Sequence, residues 1–180
     1  TVNLIDSRLS GHYSELDGGA IHNEGGSLYA RNTIFSGNLT NVPGGGVGGA
    51  MANTNGIISL YNVLISGNRA VQGGGIYNNN NGTVSLNNTT IAGNRTNDQG
   101  GGLRNENTAA SAVLNNTLIY GNESSVFPAN NDLGGLVTNN FSLVGVNPSF
   151  VNLLDASDNA PTTGGDYRLS DASVAVDAGD

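Results

Sequence analysis

The chain has 180 residues, a formal net charge of −8 and no cysteine. The length is that of one domain, and the absence of cysteine excludes disulfide bonds. The negative charge, carried without a single lysine or a basic patch, argues against a nucleic acid partner. No apolar run reaches the roughly 18 residues that a membrane-spanning helix needs, so we expect no transmembrane segment.

From the first residues onward, one phrase of alternating apolar and polar residues recurs, ending in Gly followed by Asn or His. Its spacing along the chain is 26, 30, 26 and 28 residues. A near-constant period of this size is typical of repeat architectures. The copies are Val2–His12, Leu28–Asn38, Ile58–Asn68, Val84–Asn94 and Ala112–Asn122.

A second phrase alternates with the first and begins with two glycines. Its copies are Gly18–Asn23, Gly48–Asn53, Gly73–Asn78 and Gly100–Asn105, with a looser copy predicted at Gly134–Asn139. Apolar residues in both phrases alternate at every second position, which predicts short strands and no amphipathic helix. Short strands repeated once per period predict an all-β fold, a parallel β-solenoid of about five to six coils of 25–30 residues.

Stacked coils place equivalent residues in columns. We predict an inward apolar column of Phe35, Ile65, Ile91 and Ile119. Asparagine columns fall where the apolar strands end, so their amides should bond above and below, and some should adopt left-handed backbone angles. The predicted ladder residues are Asn32, Asn62, Asn88, Asn116, Asn38, Asn68, Asn94, Asn122, Asn23, Asn53, Asn78 and Asn105.

The repeats divide the chain into coils over 1–145 and a C-terminal segment over 146–180, predicted to cap the last coil. An excursion at Glu123–Asp132 carries Phe127 and Pro128, and such loops often hold the specificity of a solenoid. The chain starts inside a repeat and without an initiating Met, so we expect an excised or mature piece of a longer secreted chain. An open first coil would invite pairing with another chain.

The phrases GGAIHN and TIFSGN resemble the repeats of polymorphic outer membrane proteins and of bacterial secreted right-handed parallel β-helix repeat proteins. The closing phrase SVAVDAGD is similar to the SPAIDAGD ending of many such surface proteins, although the Pro is missing. The resemblance implies a right-handed coil and an extracellular or cell-surface location. It implies no particular activity.

Polysaccharide lyases and glycosidases also use solenoids, so acidic residues are the first catalytic candidates. The acids of the repeats, including Glu15 and Asp17, fall in turns and do not share a strand column. Glycosidases need two carboxyl groups roughly 5 to 9.5 Å apart. His12 and His22 lack the i, i+4 helical spacing of a zinc site. We therefore predict no catalytic residues and no bound cofactor.

A structural calcium ion is the one metal that the sequence suggests, through Asp155, Asp158 and Asp166 with backbone carbonyls. A column of Ser7, Thr33, Val63, Thr89 and Thr117 is the best approximation to the threonine face of an ice-binding solenoid, but it is irregular. Arg69 and Arg95 stack directly, and we expect a solvated pair, with contact to turn acids such as Asp98 as the alternative.

The interpretation that these patterns favour is a non-enzymatic extracellular structural or adhesive module, which self-associates through its open solenoid ends. The alternative is a polysaccharide-active enzyme or a carbohydrate-binding β-helix that recognises surface glycans. Acids and aromatic residues converging in one groove would favour the alternative.

Overall fold

The computed structural model describes residues 1–126, 131–156 and 160–175 and shows a parallel β-solenoid. Four parallel sheets run along the stack, and each full coil contributes one strand to each sheet. The first two coils contain β1 (Val2–Ile5), β2 (Arg8–Ser10), β3 (Tyr13–Ser14), β4 (Ile21–Glu24), β5 (Ser27–Arg31), β6 (Ile34–Ser36), β7 (Leu39–Thr40) and β8 (Met51–Thr54). The third and fourth contain β9 (Ile57–Tyr61), β10 (Leu64–Ser66), β11 (Arg69–Ala70), β12 (Ile76–Asn79), β13 (Thr83–Asn87), β14 (Thr90–Ala92), β15 (Arg95–Thr96) and β16 (Leu103–Asn105).

The fifth coil is followed by a partial sixth and by a C-terminal hairpin. The fifth contains β17 (Ser111–Asn115), β18 (Leu118–Tyr120), β19 (Glu123–Ser124) and β20 (Leu133–Gly134). The sixth adds β21 (Thr138–Asn140) and β22 (Leu143–Val144) to the first and second sheets only. The hairpin pairs β23 (Phe150–Asn152) with β24 (Asp166–Leu169) in antiparallel orientation.

Strand register follows the repeat alignment. Val2 pairs with Leu28, Leu28 with Ile58, and Val84 with Ile58 and Ala112. Side chains alternate between inside and outside, because successive residues of a strand face opposite sides of the sheet. The all-β parallel solenoid predicted from the repeats is thus confirmed.

The interior is a continuous apolar column. Phe35, Ile65, Ile91 and Ile119 pair in register along the second sheet and are all fully buried. Burying one such side chain is worth about 1.5–3 kcal/mol, so the stack needs only a narrow core. This is how a chain with 37% hydrophobic residues stabilises a single domain.

The prediction that Gly134–Asn139 is a further copy of the second phrase is wrong. Leu133, not Leu136, pairs with Leu103, and Asn139 belongs to the first sheet, opposite Leu114. Asn131 lies opposite Gly101, the second of the two leading glycines, and the Asp132 carbonyl accepts from the N–H groups of Gly102 and Leu103. A match of letters therefore misplaced the strand by three residues.

The partial sixth coil departs from the repeat in two ways. Asn139 stands where earlier coils carry an inward leucine or alanine, and Phe141 follows at the corner. Phe141 is 70% exposed and has a φ of 53°, the left-handed region that asparagine and aspartate occupy at the equivalent corners. The apolar interior thus narrows at this coil, where Val144 still packs against the core but Phe141 faces solvent.

Candidate functional site

Two buried asparagine ladders run the length of the stack and confirm that prediction. In one, the side-chain amides of Asn23, Asn53, Asn78 and Asn105 bond in sequence at 2.7 to 2.8 Å. In the other, Asn38, Asn68, Asn94 and Asn122 do the same at 2.8 to 2.9 Å. Each amide also bonds backbone carbonyls at a bend, for example Asn94 Nδ2 to the carbonyl of Ile65. The ladders therefore fix the corners of every coil.

The third asparagine column lies on the surface. Asn32, Asn62, Asn88 and Asn116 have φ values of 48° to 54° and are exposed, so their role in the backbone is the left-handed corner. Asn62 Nδ2 donates to Asn32 Oδ1 at 2.9 Å, and Asn32 Nδ2 donates to Asp6 Oδ1 at 2.8 Å. This column is exposed and available to a ligand.

Two ladder features escaped the sequence analysis. Asp132 takes the next position in the ladder after Asn122. Its Oδ1 accepts hydrogen bonds from Asn122 Nδ2 at 2.8 Å and from the Asn122 backbone N–H at 3.1 Å. A short outer ladder joins Asn140, Asn115 and Asn87 at 2.9 Å per step. The doubled asparagines Asn87–Asn88 and Asn115–Asn116 were the available signal, because the first of each pair ends a strand and the second turns the corner.

The described part of the C-terminal segment packs along the side of the stack. Leu153 lies against Gly121, Tyr167 against Gly93 and Thr162 against Gly67. A Cβ at Gly67 would come within 2.0 Å of the Thr162 carbonyl oxygen, and Thr162 N–H donates to the Gly67 carbonyl at 2.8 Å. The glycine column therefore provides close backbone approach as well as left-handed angles. We find the segment astride several coils, where the sequence suggested a cap on the last one.

The hairpin and the second sheet enclose a groove of about 520 Å³. Its floor is the outer face of β6, β10 and β14, with Ile34, Leu64 and Thr90 in register. One wall is the exposed asparagine column, and the other is the hairpin segment 163–168. The floor column and the asparagine column both cross successive coils, so the groove extends along the solenoid axis. The floor of this concave surface spans three consecutive coils, and we take the groove as the candidate site.

A tight ion pair stands in the hairpin wall. Arg168 donates to Asp166 through Nε at 2.9 Å and through Nη2 at 2.6 Å. The side-chain and backbone hydrogen bonds from Arg168 lower the pKa of Asp166 to about 2. Beside it, burial raises the pKa of the Tyr167 hydroxyl. The Tyr167 ring packs edge-on against Phe150, with the ring centroids 5.6 Å apart. Neither group is arranged as an acid or base for catalysis.

The calcium candidates are not brought together in the described residues. Asp166 is held by Arg168 in the groove wall, whereas Asp155 lines a separate hollow with Gly121 and Leu153. Asp158 lies outside the described residues, as do Phe127 and Pro128 of the excursion. Among the residues that the structure describes, no three His, Asp or Glu side chains form a metal-binding group.

The other acidic and histidine candidates have structural partners or face solvent. Glu15 Oε2 accepts from Asn41 Nδ2 at 3.0 Å, and Asp17 Oδ1 accepts from the Val47 N–H at 3.1 Å, so both acids hold the Gly-rich loop that joins β7 to β8. His12 and His22 are exposed on separate sides of the first coil. They therefore form no joint site.

The threonine column does not form an outer face. Thr33, Thr89 and Thr117 are at most 1% exposed, and each hydroxyl bonds the carbonyl two residues earlier. They are corner residues, and each hydroxyl gives a second hydrogen bond to a carbonyl that already accepts a backbone N–H of the adjacent coil. Ice binding therefore lacks a surface here.

The stacked arginines are in register, as the sequence alignment placed them. Arg69 pairs with Arg95, and burial together with the neighbouring Arg95 charge lowers the pKa of Arg69. Arg95 pairs in turn with Glu123 and donates to Ser125 Oγ at 3.3 Å. Asp98, the alternative partner that the sequence offered, accepts from Gln72 Nε2 at 2.8 Å.

Within the described residues, no helix is long and apolar enough to cross a membrane. No family model matches the chain, and no curated protein or solved structure matches it. The likeness to polymorphic outer membrane protein repeats therefore rests on the repeat phrases alone, while the parallel solenoid is established by the strand pairing.

Proposed function

We propose that the chain is a non-enzymatic structural or adhesive module that works as a rigid rod outside the cell. The observation that carries the proposal is the unbroken register of core and asparagine columns through five coils. A stack with two buried amide ladders along its corners is stiff, which suits a spacer or a display surface. The extracellular setting is supported by the repeat phrases.

The distribution of acids supports a non-catalytic role. The described acids with resolved partners hold loops or ladder ends, as Asp17 and Asp132 do, or pair with arginine, as Asp166 and Glu106 do. A polysaccharide lyase or glycosidase on this scaffold would need carboxyl groups aimed together into a groove. The groove wall contains one carboxylate, that of Asp166, and it forms an ion pair with Arg168.

The sheet edges support end-to-end assembly. β1 stands at one edge of the first sheet and β21 at the other. The backbone N–H groups of successive strand residues point to opposite edges of the strand. The Asp6 N–H donates to the Arg31 carbonyl of the second coil. The N–H groups of Asn3 and Ile5 therefore point away from the second coil. Unpaired parallel edges of this kind are templates for another chain. A second copy could pair its β1 with β21 and so extend the first sheet.

Electron microscopy of the purified 180-residue chain over a range of concentrations tests this assembly. We expect rods that join head to tail and lengthen as concentration rises. Asn3→Pro, which removes one outward amide hydrogen, should leave single rods, while the matched Asn3→Ala variant should still join. Single rods of the parent chain at every concentration would contradict the assembly.

A further inference from the structure

Building on the proposed adhesive role, we propose that the groove between the second sheet and the C-terminal hairpin binds an extended, uncharged oligosaccharide. The groove is about 520 Å³ in volume, and its floor and asparagine wall lie on three successive coils. This size and shape fit a few units of a linear chain better than a compact ligand. The chemistry of its two walls and floor decides which chain.

The asparagine wall supplies regularly spaced neutral hydrogen-bonding groups. Asn32, Asn62 and Asn88 are exposed, lie on consecutive coils and have the same left-handed backbone. Consecutive coils are about 4.8 Å apart, which is close to the length of one pyranose unit in an extended glycan. Each side-chain amide offers a donor and an acceptor, so one hydroxyl pattern can repeat from coil to coil.

The floor supplies apolar contact between these polar groups. Ile34 and Leu64 are half-buried on the outer face of their strands, with Thr90 next in the same column. Aliphatic side chains of this kind pack against the C–H faces of sugar rings, while the threonine hydroxyl can bond a ring substituent. A groove that mixes apolar surface with convergent neutral polar groups is the usual character of a ligand site.

The charges of the groove favour a neutral chain. Asp166 and Arg168 neutralise each other in the wall, and Arg8 at the first-coil end donates to Ser36 Oγ at 3.3 Å. The chain as a whole carries −8, which opposes the approach of a polyanion. A glycan of uronic acids would gain one charge contact, with Arg8, and would otherwise meet the repelling field of the whole chain.

NMR titration of the chain tests the proposal with four hexasaccharide probes: β-1,4-linked glucose, β-1,4-linked xylose, β-1,3-linked glucose and α-1,4-linked galacturonate. We expect at least one neutral probe to bind and to shift the side-chain amide signals of Asn32, Asn62 and Asn88. The galacturonate probe should bind at least about tenfold more weakly. Tighter binding of galacturonate, or no binding of any neutral probe at millimolar concentration, would overturn the proposal.

Matched variants locate the site. Asn62→Ala and Asn116→Ala each remove an asparagine from the equivalent left-handed corner of a different coil. Asn62 lines the groove, and Asn116 lies outside it. Leu64→Asp and Leu118→Asp form a second pair in one outward column, with Leu64 inside the groove and Leu118 beyond it. We expect about tenfold weaker binding for the groove variant of each pair and little change for its control. Equal losses within both pairs would overturn the assignment.

Mass spectrometry of the bound probe separates this inference from the proposed function. An intact oligosaccharide is the expected result. Cleavage of the probe would overturn the non-enzymatic role and leave the binding groove in place. Rods that assemble but bind no neutral probe would overturn the groove assignment and leave the structural role in place.

Discussion

Asp132 Oδ1 lies 2.8 Å from Nδ2 of Asn122, so a ladder of buried asparagines ends on a carboxyl group. Burial raises the pKa of Asp132, while the side-chain and backbone hydrogen bonds from Asn122 act in the opposite direction. The net rise means that desolvation of the charge exceeds the benefit of the two hydrogen bonds. The residue that closes the ladder thus costs stability at neutral pH.

Replacement of Asp132 by Asn should stabilise the fold at pH 7. The amide keeps an acceptor for Asn122 and removes the buried charge, so we expect a gain on the order of 1 kcal/mol. Because the folded-state pKa of Asp132 is raised, its contribution is fully present below the unfolded pKa and is lost as pH rises through the folded one. The gain should therefore vanish near pH 3.

Urea unfolding of Asp132→Asn and the parent at pH 7 and pH 3 measures this difference. Asp171→Asn serves as the control, because Asp171 is an exposed aspartate of the C-terminal segment. An equal gain from the two variants, or a gain for Asp132→Asn that persists at pH 3, would show that relief of the buried charge is not the cause.

Loss of Asn94 should damage the stack severely. Its Oδ1 accepts from the backbone and side chain of Asn68, and its Nδ2 donates to Asn122 and Ile65. Alanine would leave buried polar groups of both neighbours without partners, each costing about 1 to 3 kcal/mol. We expect Asn94→Ala to lower the free energy of unfolding by roughly 2–4 kcal/mol in urea titrations.

The exposed corner residue Asn88 gives the control for Asn94. Asn88→Gly keeps the left-handed conformation, with φ of 48° in the parent, and should change the free energy of unfolding by less than about 0.5 kcal/mol. If Asn94→Ala were as mild as Asn88→Gly, the buried ladder would not be the source of corner stability.

Phe141→Asn should stabilise the last coil. A bulky residue with φ of 53° is strained, and its ring is 70% exposed, so little packing is lost on replacement. Asparagine tolerates this conformation, and we expect a gain of roughly 0.5–1 kcal/mol, seen as a higher Tm. The reverse change at the equivalent corner, Asn116→Phe, should lower Tm. A lower Tm for Phe141→Asn would mean that the ring makes a stabilising contact.

Removal of the Arg168 side chain should restore the ordinary titration of Asp166. The pKa of Asp166 is about 2 because Arg168 donates to its carboxylate, and Arg168→Ala should raise it to about 4. The stabilisation that accompanies this depressed pKa is present above the unfolded value and is lost as pH falls through about 2. Carboxyl carbon NMR shifts of Asp166 across pH 1 to 6 give the measurement. An unchanged pKa in Arg168→Ala would refute the assignment.

Much of the solenoid could be predicted from residue spacing, because a coil repeats one local problem many times. Strand alternation determines that Ile91 faces inward and Thr90 outward. Buried asparagines at the bends donate to backbone carbonyls, as Asn94 does to Ile65. The copy at Gly134–Asn139 failed for a physical reason. After an insertion, the strand register is set by pairing with the neighbouring strand, and here Leu133 pairs with Leu103.

The sequence by itself determined the period, the inward columns and the buried ladders of this protein, because each depends on contacts between equivalent residues of adjacent coils. Only the tertiary structure decided where the aperiodic C-terminal segment lies and which surface it encloses. Thr162 and Tyr167 reach coils about 70 to 100 residues away along the chain, against Gly67 and Gly93. Such packing depends on shape and not on spacing, and the groove exists only because of it.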